Sequence, residues 1–171
     1  MTTPANAPQN SELIARALIL HESHALMCRN TAKGYLYLPG GHIEFAEPAS
    51  EALKRELLEE TAQRITVGPL LLTTENTFND GRQDHHEINL VFRAQLFHVE
   101  QLGNPAPDPA AGLPEIESQE SHIDFVWTDL AAVADLDIRP TQIKAWLASG
   151  GQTDGSAPHL TKFEIPTPQT P

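Results

Sequence analysis

Glu56, Glu59 and Glu60 are the residues of this chain best suited to chemistry. At spacings i, i+3 and i+4 on a helix their carboxylates share one patch. Left bare, the patch repels itself by about 0.2–0.5 kcal/mol per pair. A hard divalent cation that takes oxygen ligands, such as Mg²⁺, would reverse that sign. A glutamate-rich helix is ordinarily only a solvated face, but the wider spacing argues for more. Gly41, five residues, Glu47, seven residues, Arg55-Glu56, Leu57, one residue and Glu59-Glu60 form a fixed pattern. At roughly 6% usage per residue type, such a set coincides by chance on the order of once in ten million starts. The helix itself is legible. Pro48 suits a first helical position, and Ala49, Leu53 and Leu57 make one apolar stripe, off which the three glutamates lie.

The stretch 41–63 resembles the signature of the Nudix hydrolases, G-x5-E-x7-R-E-U-x-E-E-x-G-U with U apolar, and the Leu38-Pro39-Gly40-Gly41 entry is similar to the family's too. Ala62 departs from the family's glycine, and Gln63 from its apolar residue. That glycine ends the helix in a left-handed conformation, where alanine costs about 1 kcal/mol or forces another exit. Neither departure touches a carboxylate.

The resemblance implies an α+β fold, an α/β/α sandwich with a mixed sheet. It also implies Mg²⁺-dependent hydrolysis of a pyrophosphate bond in a nucleoside diphosphate or triphosphate derivative, by a metal-activated water, with Mn²⁺ a substitute. Carried over position by position, it makes Glu56, Glu59 and Glu60 metal ligands, together with the carbonyl of Gly40. Glu47 and Arg55 become a structural pair; Glu59 and Arg55 also count as catalytic. His42, in the loop by the glycines, is a candidate phosphate contact. Many relatives place a further acid on the loop before a late strand ending in tryptophan. Here that strand is 123–127, and Glu120 is the first choice as base, then Glu117, then Glu115. Two other classes share the fold: a non-catalytic nucleotide sensor, which would not need the whole glutamate set, and an isoprenoid diphosphate isomerase.

These residues need elements to hold them. Residues 13–27 read as strand, tight turn at 21–24, and strand, with a short helix as the competing reading of the first apolar run. Residues 29–34 read as a loop, where Arg29 and Lys33 are either substrate-phosphate contacts or ordinary solvated charges. Residues 35–38 form a short strand. After the helix, 65–67 and 70–74 are strand-like with Gly68-Pro69 as a turn, and 70–77 pairs with 86–97 as a hairpin. His85 and His86 are neighbours on a strand and point to opposite faces, so they read as a polar strand start and not a zinc site. A Pro/Gly/Ala loop covers 103–112. Asp129 caps a short helix, Pro140 opens another over 141–148, and 160–165 is a further short strand. The expected organisation is a mobile tail at 1–11, one domain over 12–148 and a C-terminal extension over 149–171.

Composition narrows the partners. The 171 residues carry a net charge of −12, which argues against nucleic acid duplexes and acidic membranes but not against a small nucleotide held through a cation. Cys28 stands alone, which excludes an intrachain disulfide and fits a reducing, cytoplasmic compartment. The first residues show neither the basic nor the apolar region of a signal peptide. The oligomeric expectation is a monomer or homodimer. Residues 79–81 show no marker of a substrate subgroup.

Overall fold

The computed structural model describes residues 9–97, 112–151 and 157–163. Seven strands form one mixed sheet, in the spatial order 36–37, 24–30, 9–21, 84–96, 65–79, 159–163, with 123–129 on the other side of 24–30. β1 (Gln9–His21) turns at Glu22-Ser23 into β2 (His24–Asn30), and β3 is Leu36–Tyr37. α1 (Ala49–Thr61) follows, then β4 (Ile65–Asn79), β5 (Asp84–Leu96) and β6 (Ile123–Asp129). A 3₁₀ helix (Leu130–Asp135), α2 (Thr141–Ala148) and β7 (His159–Phe163) complete the elements of the described residues. β1 runs parallel to β5 and β7 parallel to β4; the other named pairs are antiparallel.

Two cores make it a sandwich. Leu53 and Leu57 of α1 pack on Ala15, Ala17, Ile19 and Leu26. On the opposite face Ile143, Trp146 and Leu147 of α2 pack on Leu18, Met27, Leu72 and Val91. β1 therefore buries residues of both parities, as a strand covered on both sides must. The α/β/α arrangement with a mixed sheet is the one expected.

Several local expectations shift. β1 begins at Gln9, and residues 9–11 pair with 84–86, so the strand takes in the end of the expected tail; residues 1–8 lie outside the described residues. Gly68-Pro69 is not a turn. β4 runs through it with register shifts between Val67, Leu70 and Leu72, a bulge, which is where a sheet tolerates proline. Pro48 caps α1 from outside, with extended φ and ψ of −64° and 138°, and its carbonyl accepts from Glu51 and Ala52. Arg29 belongs to β2, not to a loop. The expected cap at Asp129 is present, its carboxylate accepting from the N–H of Ala131. The 160–165 strand is β7, His159–Phe163, which adds the middle of the extension to the sheet through β4. Apart from Gly112, the 103–112 loop lies outside the described residues.

Candidate active site

α1 presents two different sides to the site. Glu60 stands three residues after Leu57 and seven after Leu53, which puts it on the buried stripe and not beside it. It is only 6% exposed, and its Oε2 has no partner among the described residues. Burial pushes its carboxyl up to about 7; Arg16 and the N–H of Gly40 pull it down, and Glu56 and Glu120 push it further up. Glu59 lies on the exposed side, and Glu56 between the two.

Arg55 organises the outer side. It donates to both carboxylate oxygens of Glu47, each at 3.0 Å, to Glu56 at 2.8 Å and to Glu59 at 3.3 Å. It also donates to the carbonyl of His42 at 3.0 Å, which fastens the 42–47 loop to the helix. The Arg55 guanidinium holds the Glu47 carboxyl below its ordinary range. The side chain of His42 is exposed and stands 3.7 Å from Glu12.

Arg16 organises the inner side, and no motif pointed to it. It donates to the carbonyl of Gly40 at 2.7 Å, to that of Leu38 at 3.3 Å, and to Asn89 Oδ1 at 3.3 Å, and it lies 5.3 Å over the Tyr37 ring. The signal available was a single arginine inside the apolar run LIARALIL. A charge in a doubly covered strand needs partners, and that alone marks the position. Segment 39–43 runs beside β1, with Ala15 and Ala17 donating to Gly41 and Pro39. Gly40 has φ 126°, and a Cβ there would collide with the carbonyl of Ala15. At Gly41 a Cβ would collide with the Glu56 carboxyl. Glycine is therefore required at position 40 by the close approach of the backbone, while at position 41 a side chain would displace the Glu56 carboxyl.

The loop before β6 closes on the same helix. The N–H of Gln119 donates to the carbonyl of Glu60 at 2.7 Å, which brings the following Glu120 close enough to raise Glu60's pKa. Glu120 pairs with His122 at 3.0 Å. The structure thus gathers Gly40, Glu47, Arg55, Glu56, Glu59, Glu60 and Glu120 around one helix. Arg29 and Lys33 are not brought there. Arg29 pairs with Asp124 at 2.7 Å, and strand alternation sets it opposite Cys28, which faces Glu60. Lys33 sits in the exposed turn fastened by Asn30 Oδ1. His85 and His86 turn to separate partners, Glu12 and Glu75.

The donor set fits a hard cation, being carboxylates and a backbone carbonyl around a buried carboxylate oxygen that has no partner among the described residues. In the present conformation Arg55 engages Glu56 and Glu59, and among the described residues no three His, Cys, Asp or Glu side chains are drawn together as an ion's ligands.

Comparison with known proteins gives this arrangement its class. A MutT protein from Bacillus halodurans has the same fold, with a TM-score of 0.60 and 20% identity, covering 91% of each chain. A NUDIX domain family model matches residues 12–147, and the chain belongs to that family. It is a Nudix hydrolase, an enzyme acting on nucleoside diphosphate derivatives, in a family that generally requires divalent cations. Its relatives include a MutT-like protein of Streptomyces ambofaciens, 23% identical over 96% of this chain and 92% of that one. The nucleoside triphosphatase NudI of Klebsiella pneumoniae is 34% identical over 87 residues, 44% of this chain and 62% of its own length. Among the described residues no helix is long and apolar enough to cross a membrane.

Proposed function

We propose that the chain hydrolyses a pyrophosphate bond of a nucleoside triphosphate or a related nucleotide in the presence of Mg²⁺, or of Mn²⁺ in its place. The observation that carries this reading is the buried Glu60 carboxylate with an oxygen that no group among the described residues satisfies. Glu56, Glu59 and Glu60, with the Gly40 carbonyl, would hold the cation, whose charge would offset the negative charge that builds on the phosphoryl oxygens during attack.

The chain's own residues account for the rest. Arg16 fixes the Gly40 carbonyl, and Arg55 fixes Glu47, Glu56 and the loop at His42, so the oxygens are aimed before substrate arrives. A water oxygen attacks phosphorus as the bridging P–O bond breaks, its electron pair leaving with the departing phosphate. Glu120 takes the water's proton; the Gln119 bond to Glu60 holds its loop against α1. Glu117 and then Glu115, on the same loop, are next in line for that role, and Glu59, the exposed carboxylate of the helix, comes after them.

Product analysis on a panel of nucleotides with Mg²⁺, Mn²⁺ or EDTA tests the reading. Turnover should vanish in EDTA, and Glu60→Gln should lower kcat by about 100-fold or more while the protein stays folded. Glu120→Gln should lower kcat by about 100-fold with a smaller change in KM, and flatten the acidic limb of the pH–rate profile. Undiminished hydrolysis in excess EDTA would sink the metal assignment; a wild-type profile for Glu120→Gln would pass the base to Glu117 or Glu115, and to Glu59 if their glutamine variants also kept it.

A further inference from the structure

The face of β1, β5 and β4 that lies beside α2 changes character along its length. It is apolar at Leu18, Val91 and Leu72, then turns polar at directly opposed pairs, Thr74 with Asn89 and Asn76 with Glu87. Asn89 and Thr74 are 0% exposed and Asn76 6%. Filling these positions with apolar residues would avoid the desolvation of two amides and a hydroxyl, so the polar choice calls for a reason.

The bonds among them converge on one group. Asn89 Nδ2 donates to Asn76 Oδ1 at 3.5 Å and to Glu87 Oε2 at 3.4 Å, and Asn76 Nδ2 donates to the same Glu87 oxygen at 3.5 Å. Both bonds to Glu87 are long, which leaves that oxygen with accepting capacity, and neither engages Oε1. Asn89 Oδ1 accepts from Arg16, whose guanidinium also holds the Gly40 carbonyl. One arginine side chain therefore spans from the proposed phosphate end to this polar floor. Glu87 itself is half-buried and stands at the floor's outer end, where it keeps contact with solvent.

Resting on the hydrolase reading above, we propose that Glu87 reads the substrate's base and selects a 6-oxo-2-aminopurine, the guanine edge. A carboxylate fixed by amide donors offers two acceptors side by side. Guanine offers two neighbouring donors, N1–H and the 2-amino group, which match it. Adenine puts the lone pair of N1 against the carboxylate and is rejected. Uracil and thymine present a single N–H between two carbonyls, whose oxygens would face the carboxylate.

The test compares guanosine with adenosine triphosphate, as kcat/KM and as binding of the non-hydrolysable imidotriphosphates, in wild type and Glu87→Gln. Wild type should favour guanine by about tenfold or more in both measurements. Glutamine keeps the acceptor for the two asparagines but replaces one carboxylate oxygen with a donor. In Glu87→Gln the guanine preference should fall to about threefold or less, through loss on guanine and gain on adenine. Because the readout is a ratio within one protein, partial misfolding does not mimic it, and Glu87→Asp, which keeps the charge, should keep the sign of the preference. Equal use of the two bases by wild type, no binding of either, or an unchanged ratio in Glu87→Gln would overturn the proposal. Turnover without a Glu87-dependent preference defeats this inference alone; base-selective binding without turnover defeats the hydrolase reading alone.

Discussion

Two arginines hold the two sides of the same glutamate helix, and they do it in opposite ways. Arg55 works from the solvent side, with carboxylates of Glu47, Glu56 and Glu59 as partners. Arg16 works from inside the sheet, with two backbone carbonyls, an amide and an aromatic ring as partners. The outer arrangement is charge against charge in contact with water, and such pairs are individually worth little to stability. The inner one satisfies groups that water does not reach, so its loss leaves them unpaired. The difference teaches that one site separates two tasks: Arg55 orders the carboxylates of the helix and its entry loop, and Arg16 keeps the buried cradle folded.

The sharpest way to break that comparison is to remove each arginine in turn. Arg16→Met should cost about 3–5 kcal/mol of stability, because Gly40, Leu38, Asn89 and the buried Glu60 all lose a positive partner. Arg55→Met should cost about 1 kcal/mol or less, yet lower activity by about 10–100-fold through misaimed carboxylates. Denaturant unfolding and kcat measured on the same preparations decide it. Equal stability losses for the two would show that the division of labour is wrong.

The same contrast was visible in how the sequence could be read. Arg55, Glu47 and the glutamates lie within one helix and its entry loop, so their fixed spacing carries the geometry and local sequence is enough. Arg16 and Asn89 are 73 residues apart and meet only because β1 and β5 pair in parallel. No local pattern encodes that register. Carboxylates are expected at the surface, which sets Glu60 beside the apolar stripe, yet its spacing from Leu53 and Leu57 carries it inside. Gly68-Pro69 carried turn chemistry, but pairing with β5 kept the strand going and turned the punctuation into a bulge. The strand–turn–strand at the start, the α1 span and α2 were legible because their hydrophobic periods and caps are local.

Glu60 sharpens the comparison through pH. Its carboxyl is raised from the ordinary 4.5 to about 7, chiefly by burial, so the folded protein prefers it neutral. That preference stabilises the fold fully below about pH 4.5, and the stabilisation is lost as pH rises through about 7. With metal chelated, this single group should remove up to about 3 kcal/mol of stability across that window. Thermal melts in EDTA should show the decline in wild type and a flatter profile in Glu60→Gln. In Arg16→Met, which loses the cation that lowers Glu60, the decline should move to higher pH. A Glu60→Gln profile parallel to wild type would mean that other groups set the pH dependence.

The smallest effect lies at the end of α1, two residues beyond Glu60. Ala62 adopts the left-handed conformation, φ 56° and ψ 12°, with its N–H donating to the carbonyl of Leu58 at 2.9 Å. The helix thus leaves through the exit that the family's glycine takes, and the alanine bears the strain of it. A Cβ in that region costs roughly 1 kcal/mol against glycine, and Ala62 is exposed, so its methyl buries little to offset the cost. Part of the gain from glycine is returned as greater freedom of the unfolded chain. Ala62→Gly should therefore raise stability by about 0.5–1 kcal/mol. The Glu60 carbonyl that receives Gln119 belongs to the helix before the strained residue, so kcat should stay at the wild-type value. A stabilised variant with unchanged kcat confines the strain to the helix exit. A fall in kcat would instead tie that strain to the placement of Glu120 and extend the inner framework from Arg16 to the loop before β6.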